Sequence, residues 1–144
     1  MSKPWEILGK LAEKKSEEAR RALAQIDDLI HRLDQRRLQV GALLKENAAR
    51  LREPDRHLQM SEIRVINVFV TNLSAAMQNM DRERGLLLEH RRRQSDLYEK
   101  ARREEQKMDS LQEREAERER SIKELAEMKR MDAAAIQKFN HGRK

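Results

Sequence analysis

The sequence predicts an all-α fold: a long two-helix antiparallel coiled-coil hairpin with an overhanging C-terminal helix. Three observations carry this. Charged residues make up 40% of the 144 and aromatics only 3%, so the apolar residues must line narrow seams rather than a broad core. Ala, Leu, Glu, Lys and Arg dominate, as in long helices, while 4 glycines and 2 prolines leave little for loops or sheets. The third is a heptad pattern broken once, at Glu53-Pro54-Asp55. The expected organisation is a single coiled-coil rod over 1–144, with helix 1 about 4–52, a turn about 53–61 and helix 2 about 62–140.

Helix 1 opens at Pro4, because a first helical turn does not need the missing N–H. With Trp5 as an a position, the a series is Trp5, Ala12, Ala19, Ile26, Leu33, Val40 and Asn47. The d series is then Leu8, Lys15, Ala22, Leu29, Arg36, Leu43 and Arg50. Most of these are apolar, over enough heptads to predict a two-helix seam. Ile30, Leu44 and Leu51 widen the stripe at e positions. Asn47 either sets the register or marks a seam that loosens near the turn.

Pro54 disfavours helix at Glu53, and Ser61 is the expected N-cap of helix 2. From there Ile63, Ile66, Val70, Leu73, Met77, Met80, Arg84 and Leu87 keep 3/4 spacing. The phase is expected to slip between Gly85 and Leu97. A second series then runs through Leu97, Ala101, Glu104, Met108 and Leu111. Such a slip locally overwinds a coiled coil, and Gly85, costing about 1 kcal/mol against Ala, makes a soft point.

A short connection folds the helices antiparallel, placing Trp5 opposite roughly Met108 and leaving residues beyond about Leu111 overhanging. The run Gln112–Arg120 is almost wholly charged, as suits a single helix in water. Ile122, Leu125, Met128, Ile136 and Phe139 then return with no counterpart in helix 1, which predicts an external partner.

No catalytic constellation emerges, and neither a metal nor another cofactor is expected. His31, His57, His90 and His141 are scattered, and there are 0 cysteines for a disulfide, thiolate or zinc site. Carboxylates lie on solvated faces without the cleft that shifts a pKa, and no glycine-rich phosphate loop is present. No apolar run approaches the ~20 residues that span a bilayer, and none follows Met1 as a leader would, so a soluble protein is expected. Net charge is +6. The runs Arg91–Arg93 and Arg102–Arg103 are interleaved with Glu89, Asp96, Glu99 and Glu104, unlike a one-sided nucleic-acid reader. Residues 31–52 and 129–144 are more basic and suit acidic protein grooves or anionic lipid. Trp5 is a seam residue or a contact at the open end. Val65, Val68, Phe69, Leu86 and Leu88 lie off the seam, and patches of that kind usually meet a partner.

Four features carry a family resemblance. They are the stretch Leu8-Gly-Lys-Leu-Ala-Glu-Lys-Lys-Ser-Glu-Glu-Ala-Arg-Arg and the break near Pro54. They also include Arg64-Val-Ile-Asn-Val-Phe-Val-Thr-Asn-Leu opening helix 2, and the charged tail with Lys129-Arg-Met-Asp and Phe139. Together these resemble the FliJ family of flagellar export proteins and, less closely, the YscO-type injectisome stalks. The resemblance implies a nonenzymatic stalk, similar to the two-helix part of a rotary ATPase γ subunit. Its implied partners are the flagellar export ATPase hexamer, the cytoplasmic domain of the gate protein FlhA, and substrate chaperones. It would work at the cytoplasmic face of the inner membrane, touching the membrane only peripherally and binding no nucleic acid. The expected partner-binding residues are Trp5, Val68, Phe69, Leu73, Ala76, Ile122, Leu125, Ile136 and Phe139. Leu73 and Ala76 fall there by resemblance, in the region expected to meet the gate.

The alternatives are an injectisome stalk, a basic coiled-coil nucleic-acid binder, and a structural or prefoldin-like coiled coil, the last weakened by the lack of a strand-rich segment. A nucleic-acid binder would show duplex affinity falling with salt at a log–log slope near −0.9 per phosphate contact. The expected result is no detectable binding to duplex DNA or RNA at low salt.

Overall fold

The computed structural model describes residues 4–52 and 58–142. Helix α1 runs Pro4–Arg52 and α2 runs Met60–His141, with no strand among the described residues. The two pack against each other as an all-α hairpin. The break around Pro54 lies outside the described residues. Ser61 is not the N-cap expected of it: α2 already starts at Met60, and the Ile63 N–H donates to the Gln59 carbonyl at 3.1 Å.

The chain forms two compact units, Glu18–Glu99, and Met1–Glu17 with Lys100–Lys144. In the first, the core is Ile26, Leu33, Ile66 and Leu73, all buried, with Ile30, Val40, Leu44, Val70, Met77 and Met80 half-buried around them. Asn47 is buried too, and its amide donates to the Leu43 carbonyl of its own helix at 2.8 Å. The polar group is therefore satisfied locally rather than across the seam. The second unit has a thinner seam. Gly9, Ala12 and buried Ser16 of α1 share it with half-buried Ala101, Glu105 and Met108 of α2. Small residues on one side let the backbones approach but bury little apolar area, so this unit gains less from burial.

The a series of α1 faces inward from Ala12 to Asn47, but of the d series only Ala22 is half-buried. Leu8, Leu29 and Leu43 are 44%, 49% and 44% exposed, and Lys15, Arg36 and Arg50 point to solvent. The second inward series sits one residue later: Gly9, Ser16, Leu23, Ile30, Arg37, Leu44 and Leu51. The expected e positions are thus the other half of the seam. Arg37 is tolerated there because its aliphatic stem covers the seam while the guanidinium reaches out.

On α2 the expected phase slip is absent. After Leu87 the inward positions continue as Gln94, Tyr98, Ala101, Glu105 and Met108, in step with the preceding series, while Leu97 is 57% exposed. Long polar side chains occupy seam positions where the pattern of hydrophobicity fades. The helix runs unbroken through Gly85, which is exposed, with open space where a Cβ would stand.

The two registers differ in a measurable way. Leu33→Ala, at a side chain 1% exposed, should cost about 2–4 kcal/mol in denaturant unfolding. Ile30→Ala should cost clearly more than Leu29→Ala, the latter staying below about 1 kcal/mol. The reverse order would restore the d series read from sequence.

Candidate partner-binding surfaces

Within the Glu18–Glu99 unit, a ladder of ion pairs flanks the seam. Arg37 Nε donates to Asp81 Oδ1 at 2.6 Å and its Nη2 to Oδ2 at 3.4 Å. Arg84 grips Asp34 in the same side-on manner, at 2.8 and 3.4 Å. Arg91 pairs with Asp27. Each step down α1 from Asp34 to Asp27 is matched by an equal step up α2 from Arg84 to Arg91, which fixes the helices antiparallel and in one register. Hydrogen bonds from the arginines hold the Asp34 and Asp81 carboxyls below the ordinary aspartate range. The charges are well exposed, so their contribution is to choice of register more than to stability. The interleaved charges around Arg91 do not reveal this role in the sequence; the signal for it is the match in spacing between the aspartates of α1 and the arginines of α2. Glu89 bonds Arg92 at 2.8 Å and Arg93 at 3.5 Å along its own helix.

The same unit carries an apolar outer patch on α2. Val65, Val68 and Phe69 are 68%, 61% and 41% exposed, beside a shallow groove lined by Arg64, Asn67, Val68, Thr71 and Asn72. Leu73 does not share that surface: it is buried in the seam, with Ala76 half-buried. Of the four residues expected here, Val68 and Phe69 are presented outward together.

In the other unit, Trp5 is 39% exposed and lines a groove with Glu6, Gln112, Glu115, Ala116 and Glu119. The Gln112 amide donates to the Trp5 carbonyl at 2.9 Å. That amide lies where a Cβ on residue 9 would stand, so Gly9 is what lets Gln112 cross α1. Trp5 therefore sits opposite Gln112 and the turn beyond it rather than Met108. The overhang starts near Arg120 rather than Leu111, and every described residue from Arg120 onward is exposed. Ile122, Leu125, Ile136 and Phe139 are 58%, 60%, 61% and 61% exposed. They share one helix face at 3/4 spacing. The acidic rim around Trp5 was not legible beforehand, because it depends on which turn of α2 the N-terminus reaches.

Among the described residues no group of three His, Asp or Glu side chains could hold a metal, and no helix is long and apolar enough to cross a membrane. What the geometry offers is exposed apolar helix faces. The family described as Flagellar FliJ protein matches the chain over residues 1–144. The chain belongs to the FliJ family. FliJ-family membership makes it a nonenzymatic, flagellar export-associated protein. No curated protein and no solved structure matches it.

The ladder makes a prediction about acid. Because the folded-state pKa values of Asp34 and Asp81 lie below their unfolded values, their stabilisation is present above the ordinary aspartate range. It is lost as pH falls from that range through the lowered folded values. Replacing both by Asn should make the melting temperature less sensitive to that fall, read by circular dichroism across an acid series. An unchanged acid slope would remove the ladder from the pH response.

Proposed function

We propose that this FliJ-family chain is the stalk of the flagellar type III export apparatus, coupling the export ATPase ring to the export gate. The overhanging face of α2 meets the ATPase hexamer. The outer patch with Val68 and Phe69 meets the cytoplasmic domain of FlhA or a substrate chaperone. The mechanism is a population shift: a rod that binds the conformations of the ring unequally biases them toward assembly or turnover. This places the protein at the cytoplasmic face of the inner membrane and makes it necessary for flagellum assembly and motility. The flagellar description of the matching family favours this apparatus over an injectisome.

One observation carries the reading. Ile122, Leu125 and Ile136 extend past the last turn that packs on α1 and remain about three-fifths exposed. Burying each against a partner is worth about 1.5–3 kcal/mol. The basic residues Lys129, Arg130 and Lys138 on the same stretch would favour an acidic lining, with binding that weakens as salt rises.

The test is a fragment ending at Arg120, which retains Gln112, Glu115 and Glu119 against Trp5. It should stay helical by circular dichroism and lose stimulation of the flagellar ATPase. Full stimulation by the folded fragment would move the ring contact onto the hairpin.

A further inference from the structure

The apolar face of the overhang follows only half of the intrachain seam. Carried forward in sevens, Met108 and Glu115 lead to Ile122, Lys129 and Ile136, while Gln112 and Glu119 lead to Ala126, Ala133 and Asn140. The large apolar side chains Leu125 and Phe139 stand one position to the side of that second series, 60% and 61% exposed. The overhang thus has a seam of its own, with Ile122, Lys129 and Ile136 alternating with Leu125, Asp132 and Phe139. The flanking positions are uncharged, among them Ala126, Met128, Ala133 and Ala135. The remaining charges, Lys123, Glu124, Glu127, Arg130 and Lys138, fall on the opposite face.

This seam is complementary to itself in one arrangement. Set antiparallel about a two-fold axis between Arg130 and Met131, Ile122 of one copy meets Phe139 of the other, and Leu125 meets Ile136. Lys129 meets Asp132, and the symmetry repeats each layer. Every apolar residue faces an apolar one, and each of the two charges faces its opposite. A parallel pair would set Lys129 on Lys129 and Asp132 on Asp132, and an antiparallel pair slipped by one heptad would set Ile122 on Asp132. Charge at core positions selects orientation and register in coiled coils in this way, and a two-fold contact requires the same patch on both copies.

We propose that the free protein self-associates through residues 121–141, pairing antiparallel with the same segment of a second copy. Three heptads with a polar centre make a weak, reversible dimer. The pairing does not rest on the ring reading, since it is measured without the ATPase. In the ring reading the same face would be covered by one occupant or the other.

The test uses the full chain. Sedimentation should show average mass rising from one copy toward two over micromolar to sub-millimolar concentration. Lys129→Asp alone and Asp132→Lys alone should each weaken association at least about tenfold, as like charges then meet, and the double exchange should restore it. Because the natural sequence has 0 cysteines, Leu125→Cys and Ile136→Cys proteins report the geometry directly. Mixed and oxidised, they should crosslink to each other, while Leu125→Cys alone stays uncrosslinked. These positions lie beyond the hairpin seam, so circular dichroism should be unchanged. A mass that stays at one copy throughout overturns the proposal, as does crosslinking of Leu125→Cys to itself or failure of the double exchange to restore association. ATPase stimulation by a chain that stays at one copy would overturn the dimer and leave the ring reading standing.

Discussion

Among the described residues each compact unit is a pair of helical segments sharing one seam, and the rest of its structure follows from that constraint. No third layer among the described residues covers an outward face, so each helix buries one narrow stripe and exposes the rest. Among the described residues only Ser16, Ile26, Leu33, Asn47, Ile66 and Leu73 are buried. Stability must come from the length of the seam rather than its depth, and register must be held by contacts at its edge. The Asp34–Arg84 and Arg37–Asp81 pairs meet that second need with side-on geometry that one step of slippage would break.

The fold class, the direction of packing and one seam series of α1 were legible because they rest on spacing. The other series was misplaced by one residue, and the reason is physical. Leu8, Leu29 and Leu43 look like seam residues by hydrophobicity, whereas the positions that face α2 include Gly9, Ser16 and Arg37. Close approach favours small side chains, and a long stem with a charged tip serves as seam lining. Neither is visible to a count of apolar residues. The apparent slip on α2 has the same origin: Gln94, Tyr98 and Glu105 line the seam, while Leu97 does not.

The candidate surfaces were legible where an apolar stripe runs past the reach of α1. Ile122, Leu125, Ile136 and Phe139 could be picked out from the mismatch between the helix lengths alone. Val68 and Phe69 could be picked out because they fall off the seam spacing. Leu73 fits that same spacing, and its burial agrees with the pattern rather than with the family resemblance. The groove around Trp5 depends on a side-chain amide crossing at a glycine, a contact between residues far apart in sequence that no local pattern encodes.

So small a buried set has an evolutionary corollary. Most substitutions on such a helix pair alter solvent-facing positions, where their effect on folding is slight. Lineages that keep the 3/4 rhythm and the edge charges are free to drift in nearly every other letter. Pairwise identity between them would decay quickly while the rhythm persisted along the whole chain. In a molecule built this way, resemblance is carried by periodicity more than by individual residues.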